Sequence, residues 1–215
     1  PDGSRSDMGA YYYHQEISGC THPNATNYDE TANVDDGSCE YETVQIGHQV
    51  WMQENLKATH YLNGDEVPTG LNDDTWSTTT AGAYAILNDV LANADIYGNL
   101  YNWYAVDDSR NIAPEGWHVP TDDEYKILEM NVGMGESEAN GTGYRGTNEG
   151  SKLAGQAALW REGDLKDDSE FGTSGFNTLA AGFRQTGNGY YLGIRSNGYF
   201  WTSSEYNSEK GWFRM

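Results

Sequence analysis

Residues 43–56 read TVQIGHQVWMQENL, and this stretch decides the fold of the main part of the chain. Its apolar residues Val44, Ile46, Val50 and Met52 are spaced by twos, which is the spacing of side chains on one face of a β-strand. A glycine between the two pairs indicates a turn. The stretch therefore predicts strand structure with one apolar face, formed by these four residues, and a turn centred on Gly47.

Two helices are predicted further along the chain. In the run VPTDDEYKILEM, Thr121 stands three residues before Glu124, and this capping-box pattern predicts the start of a helix. The apolar stripe of that helix is predicted to comprise Tyr125, Leu128 and Val132. A second, short helix is predicted around residues 150–159, where a glycine interrupts the pattern.

The remaining apolar residues fall in short aromatic runs that are divided by glycine and asparagine. These runs are YGNLYNWYAV, GFNTLAAGFR, GYYLGIRSNGYFWTSSE and GWFRM. They predict many short strands. Together with about two helices and long loops, they indicate an α+β fold.

The charge of the chain restricts its partners. The formal net charge is −21, from 33 acidic and 12 basic residues. This charge repels nucleic acid and anionic membrane surfaces, so neither is expected as a partner. The chain has no apolar run of membrane-spanning length, so direct membrane insertion is not expected either. Because it begins at Pro1, we expect the sequence to be an excerpt of a longer protein.

The two cysteines, Cys20 and Cys39, lie among turn residues and favour a disulfide. A zinc site is the weaker alternative, since there is no CxxC motif and no further cysteine nearby. Closing a loop of this size contributes roughly 3 kcal/mol to stability. A disulfide indicates an oxidising compartment, so we expect an extracellular or cell-surface location.

Residues 19–41 form a loop module that is too poor in apolar residues to build a core of its own. Oxygen-bearing side chains are clustered in it: Asn24, Asn27, Asp29, Asn33, Asp35 and Asp36. Ca²⁺ takes six to eight oxygen ligands of these kinds. The predicted structural calcium ligands are Asn27, Asp29, Asn33, Asp35 and Asp36. The alternative is a linker that only the disulfide holds together.

Two short resemblances concern the N-terminal part of the chain. Residues 19–39 resemble the GCT-x-P-x-A-x-NY…DDGSC repeats of bacterial surface proteins, which are similar to thrombospondin type 3 calcium repeats. Residues 1–18 contain DG-x-x-x-D-x-GAYY, which resembles the closing turn of a right-handed parallel β-helix. An ordinary linker strand is the alternative for this segment.

Residues 42–215 resemble the Fibrobacter succinogenes major paralogous domain. The matching stretches occur in the order of that family: IGHQVWMQENL, YGNLYNWYAV, APEGWHVPTDDEY, GFNTLAAGFR, GYFWTSSE and GWFRM. The resemblance implies a C-type-lectin-like fold, shared with formylglycine-generating enzymes, and a secreted surface domain. In the family a further strand follows the last of these stretches, so we expect the domain to be truncated at Met215.

A binding role is expected rather than an enzymatic one. Formylglycine-generating relatives rely on cysteines, and residues 42–215 contain none, so a divergent enzyme of that type is the weaker alternative. The acid pair Asp122 and Asp123 falls in the first turn of the predicted helix, where carboxylates are favoured without a catalytic role.

Aromatic and amide side chains crowd the C-terminal third of the chain and suggest contacts with a glycan or protein ligand. The predicted ligand-binding residues are Tyr190, Tyr191, Asn197, Tyr206 and Asn207. Two tryptophans, Trp201 and Trp212, have two alternative interpretations, as core residues or as ligand contacts. We therefore predict a non-catalytic surface or adhesion module with an unknown glycan or protein partner. The alternative is an architectural tip domain on a β-helical stalk.

Overall fold

The computed structural model describes residues 16–207 and 209–215. The predicted N-terminal segment, residues 1–18, lies almost wholly outside the described residues, and its interpretation as the end of a β-helix stays a prediction. The described chain confirms a mixed α and β architecture, because short helices and short strands alternate along it and are joined by loops.

The described residues form ten strands, which associate as five separate pairs. Four pairs are antiparallel and the first is parallel. In chain order the pairs are β1 (Ser18–Gly19) with β2 (Val34–Asp35), β3 (Thr43–Ile46) with β4 (Gln49–Met52), β5 (Tyr84–Ile86) with β6 (Asn99–Tyr101), β7 (Phe183–Arg184) with β8 (Tyr191–Leu192), and β9 (Phe200–Asn207) with β10 (Lys210–Arg214). Among the residues that the structure describes, each strand therefore keeps one edge without a partner strand.

Seven α-helices occur within these same ranges, so the prediction of about two helices was too low. They are α1 (Asp73–Thr78), α2 (Ala92–Tyr97), α3 (Trp103–Val106), α4 (Asp122–Asn131), α5 (Glu136–Ala139), α6 (Glu149–Leu153) and α7 (Asp164–Asp167). All except α4 have only four to six residues. A helix of one turn shows no periodic apolar stripe, and tertiary packing rather than propensity holds it.

The β3–β4 hairpin corrects the predicted apolar face. Its turn consists of residues 47–48 only, and this short turn pairs Val44 with Trp51. Side chains of directly paired residues point to the same face, so Trp51 joins the core and is 8% exposed. Val50 is 57% exposed, and its placement with Met52 on the apolar face was wrong. The two-residue turn shifts the alternation by one residue relative to the sequence spacing.

Helix α4 begins where the capping box predicts. The Thr121 hydroxyl accepts a hydrogen bond from the Glu124 backbone N–H at 3.2 Å, and the Glu124 carboxylate accepts one from the Thr121 N–H at 2.7 Å. Tyr125 and Leu128 are buried, and Val132 packs against the same cluster. The predicted apolar stripe is confirmed.

The second predicted helix is broken into two pieces. Helix α6 ends before Gly155, and the chain resumes as a short 3₁₀ helix at Ala157–Leu159. At Gly155 the Asn177 side chain approaches so closely that a Cβ would lie 1.9 Å from its Oδ1. Only a residue without a side chain allows Asn177 to approach this closely, which explains the glycine at position 155. A continuous helix over residues 150–159 does not form.

The Cys20–Cys39 disulfide is present, and its loop contacts the main part of the chain. Asn24 is buried, and its amide nitrogen donates to the Asn55 carbonyl at 2.9 Å while its oxygen accepts from the Lys57 N–H at 2.6 Å. Next to it, the rings of His22, Tyr41 and Trp117 form two edge-on contacts, with centroids 5.6 and 5.7 Å apart.

Candidate ligand-binding cleft

A cleft of about 980 Å³ opens in the main part of the chain. Its lining comes mostly from residues 48–56, 99–101, 112–114, 116–120, 176–179, 181–186 and 199–201. Most of the lining side chains are apolar or aromatic. Clefts of this volume and character are the usual form of small-ligand sites.

Four aromatic rings form a continuous surface in the cleft, which we call the aromatic wall. They are Phe183, Tyr199, Phe213 and Trp201. Along this series, neighbouring ring centroids are 4.7, 5.8 and 6.2 Å apart. Phe213 is 52% exposed, and the other three are half-buried. The wall therefore leaves aromatic surface in contact with solvent.

The pairing of β9 with β10 builds most of this wall. Successive side chains of extended chain point to opposite faces, so Tyr199, which directly precedes β9, shares one face with Trp201 while Phe200 points to the other. Phe200 packs on Phe176, with centroids 5.9 Å apart. Phe213 stands directly opposite Trp201 in the β9–β10 register. The Trp201 indole N–H donates to the Tyr101 carbonyl at 2.8 Å, which fixes the ring.

Strand β10 is held in place by charge. Arg214 is largely buried and lies 2.7 Å from the Asp122 carboxylate and 3.1 Å from that of Glu129. Arg145 also pairs with Glu129, at 2.7 Å. Because Phe213 adjoins Arg214, this network determines where the most exposed ring of the wall lies.

Among the described residues, Arg184 is the only arginine that lines the cleft. It is buried, and its charge is already paired. Its guanidinium lies 3.0 Å from the Asp73 carboxylate and donates to the Gly189 carbonyl at 2.9 Å. It also lies over the rings of Trp76 and Tyr191, at 4.7 and 5.1 Å. Arg184 therefore braces the cleft and offers no free positive charge to a ligand.

Four buried polar atoms of lining residues have no hydrogen-bond partner within the described ranges. They are the indole N–H groups of Trp51 and Trp76 and the side-chain oxygens of Asn99 and Gln49. Neighbouring groups cover each of these atoms. The surface that the cleft offers to solvent is therefore more apolar than its residue types alone suggest.

The five predicted ligand-binding residues lie outside the cleft lining. Tyr190 and Tyr206 are 58% and 60% exposed. The Tyr191 hydroxyl donates to Asp89 at 2.7 Å, and burial raises the pKa of this hydroxyl. Asn197 precedes β9, whereas Tyr206 and Asn207 end it. An eight-residue strand spans about 26 Å, so these residues do not form one surface patch.

Tyr199 and Trp201 lie in one of the aromatic runs that predict strands, whereas their contacts with Phe183 and Phe213 were not predicted. The alternating run GYFWTSS carries the signal for the first two. Of the two tryptophans left open, Trp201 belongs to the wall and is half-buried. Trp212 is also half-buried and contacts Tyr206 edge-on, with centroids 4.9 Å apart.

The predicted calcium ligands take part in turns of the disulfide loop. The Asn27 side chain donates to the Ser38 carbonyl at 2.7 Å and accepts from the Glu40 N–H at 2.9 Å. The Asn33 oxygen accepts from the Ile17 N–H at 2.9 Å. These two amides therefore hold the loop together.

The three carboxylates of the predicted site accept hydrogen bonds from nearby groups. Asp29 accepts from Thr31, Asp35 from Gly37, and Asp36 from Ser38. The hydrogen bonds from Thr31 and Ser38 hold the pKa values of Asp29 and Asp36 below the usual range. Across the described residues, no group of three or more His, Cys, Asp or Glu side chains is arranged to hold a metal ion. Calcium binding by the loop stays a prediction.

Asp122 and Asp123 lie in the first turn of α4, as predicted. Lys126 lies 2.9 Å from both carboxylates, and Asp122 also pairs with Arg214. Both acids are therefore engaged in ion pairs at the helix N-terminus, where the helix dipole favours negative charge.

The comparisons with known proteins give one match. Residues 44–215 match the family model described as the Fibrobacter succinogenes major domain. No curated protein and no solved structure matches the chain. Among the helices that the structure describes, none has the length and apolar character needed to cross a bilayer.

Proposed function

We propose, from the premise that this chain belongs to the Fibrobacter succinogenes major domain family, that it is a non-catalytic ligand-binding module of the cell surface. The observation that carries the proposal is the aromatic wall inside the apolar cleft. Partly exposed aromatic rings in a concave site supply large contact area at low entropic cost, and such rings dominate binding energies.

The surroundings of the wall favour binding over chemistry. Both cysteines lie in the disulfide loop, and residues 42–215 have no thiol to act as a nucleophile or copper ligand. The charged lining residues are already engaged: Arg184 and Glu54 in ion pairs, and Glu124 in a helix cap. The proposal therefore assigns the cleft to recognition of a glycan or protein ligand.

The proposed architecture is a C-type-lectin-like domain with a disulfide-tied calcium loop. The mixed short strands and helices of the chain and its C-terminal antiparallel hairpin support the first part. The oxygen-rich composition of the loop supports the second. The disulfide supports an extracellular location, since such bonds persist in oxidising compartments.

The test is a binding screen on saccharide and peptide panels, with and without Ca²⁺. The wild type is compared with the double variant Tyr199→Ala/Phe213→Ala and with the control Tyr190→Ala, which removes an exposed tyrosine outside the cleft. We expect ligands of the wild type to bind the wall variant at least about ten-fold more weakly, a loss of roughly 1.4 kcal/mol, and the control equally well.

Two outcomes would contradict parts of the proposal. If the wild type binds no member of either panel, the binding function fails and an architectural role becomes the better account. A ligand of the folded state raises the stability of the protein. If a chelator leaves the melting temperature of the wild type unchanged, the proposal of a structural calcium ion is therefore wrong.

A further inference from the structure

The lining of the cleft shows that a strand edge faces it. All four residues of β4 line the cleft, within the unbroken lining run 48–56. A strand that presented one face to a cleft would contribute every second residue, because its side chains alternate between two faces. The unbroken run therefore includes residues from both faces of β4, and because no residue of β3 lines the cleft, the cleft extends around the edge of β4 that β3 does not cover.

The hairpin register determines which backbone groups point to this edge. In an antiparallel pair, residues alternate between those that exchange hydrogen bonds with the partner strand and those that do not. The pair Ile46 and Gln49 closes the two-residue turn and is a bonded pair. The Gln53 N–H donates to the Glu42 carbonyl at 3.0 Å, which fits the same alternation.

Val50 and Met52 are therefore the unbonded positions of β4, and their N–H and C=O groups point away from β3. Within the described ranges, β4 pairs with β3 alone, and no hydrogen bond joins the backbone groups of Val50 or Met52 to another residue. The two sets of groups are about 7 Å apart along the strand. This is the pattern that a further strand needs for pairing.

The chemistry of the cleft matches a strand-like ligand. A strand that pairs with β4 carries side chains at alternate positions, and these can pack on the apolar lining and the aromatic wall. The formal net charge of −21 repels acidic segments. Paired donors and acceptors about 7 Å apart are the repeat of a β-strand backbone, so the free edge favours a polypeptide.

We propose that the cleft binds an extended segment of another polypeptide, which adds to β4 as a third strand. The segment is apolar at alternate positions and carries no net negative charge. This inference rests on the proposed function and names its ligand class. Main-chain pairing supplies affinity in this mode of recognition, and pockets for alternate side chains supply specificity.

The test uses synthetic ten-residue peptides that alternate Val, Ile or Phe with Thr or Lys, beside a matched panel with Glu in place of Lys. The decisive variant is Val50→Pro, which removes the outward N–H and leaves the β3–β4 hydrogen bonds in place. Val50→Ala is its control, since it shortens the same side chain and keeps the N–H. We expect Val50→Pro to weaken binding of the basic peptides at least about ten-fold and Val50→Ala less than about two-fold.

A second measurement does not depend on the proline variant folding. Amide hydrogen exchange of the wild type should be fast at Val50 and Met52 in the free chain and slower at both with a bound peptide. Peptide binding without protection of these amides would overturn the inference, and so would equal binding of the acidic panel. Binding of saccharides alone, lost in Tyr199→Ala/Phe213→Ala, would overturn the inference and leave the proposed function standing.

Discussion

His22 shows how burial changes the chemistry of one residue where the disulfide loop contacts the main domain. Its ring packs edge-on against Tyr41, and its Nε2 has no hydrogen-bond partner among the described residues. Burial lowers the pKa of His22 from 6.5 to about 4, and the opposing effect of the nearby Asp35 charge is smaller. The folded chain therefore keeps this imidazole neutral at mildly acidic pH.

This lowered pKa predicts a loss of stability in mild acid. The unfolded chain binds a proton on His22 near pH 6.5, whereas the folded chain does so only near pH 4. Between these values the unfolded state holds more protons, so the free energy of unfolding decreases as the pH falls through this window. Urea unfolding from pH 7 to pH 4 should show this decrease, and His22→Phe, which keeps a ring beside Tyr41, should reduce it. The same pH dependence in both proteins would show that His22 is not responsible.

At the scale of elements, the β3–β4 turn depends on one glycine. Gly47 has a φ of 62° at the first position of the two-residue turn, a conformation that favours glycine. A Cβ at this position would lie 2.4 Å from the Asn131 side chain, which donates to the Ile127 carbonyl. The turn is therefore constrained both by its backbone conformation and by contact with α4.

Two alanine variants separate these constraints. Gly143 also has a positive φ, 82°, but a Cβ there would meet nothing within 4 Å. We expect Gly143→Ala to lower the free energy of unfolding by about 1 kcal/mol through backbone strain. Gly47→Ala should lower the free energy of unfolding by roughly 1 kcal/mol more than Gly143→Ala does, because the Asn131 side chain must move as well. Equal losses in urea unfolding would mean that the contact with α4 does not matter.

The elements differ in how far local sequence determines them. The start of α4 is predictable because Thr121 and Glu124 form the cap within four residues of chain. The apolar face of the hairpin is not, since the number of turn residues decides whether Val50 or Trp51 faces the core. The one-turn helices cannot be predicted from the sequence either, because tertiary packing rather than helix propensity stabilises them.

At the scale of the whole molecule, the candidate site depends on contacts between distant parts of the chain. Phe183 precedes Tyr199 by 16 residues, and Phe213 joins the wall only because β10 pairs with β9. A search for crowded aromatics in the C-terminal third therefore finds Tyr190 and Tyr206, which are exposed but lie outside the cleft. The disulfide was predictable because the two cysteines lie among turn residues and have neither a CxxC motif nor a further cysteine nearby.

The central claim is that ligands bind in the aromatic cleft, and two tryptophans allow a direct test. The Trp201 indole N–H donates to the Tyr101 carbonyl at 2.8 Å on the wall. The Trp160 indole N–H donates to the Gly155 carbonyl at 2.9 Å in a buried cluster outside the cleft lining. Both groups are bonded to backbone carbonyls, so they form a matched pair.

The measurement is a nuclear magnetic resonance titration with the tightest-binding member of the saccharide and peptide panels. Tryptophan-to-phenylalanine variants assign the two indole N–H resonances. We predict that the Trp201 resonance shifts progressively to saturation while the Trp160 resonance stays in place. An unchanged Trp201 resonance at saturating ligand would contradict the account.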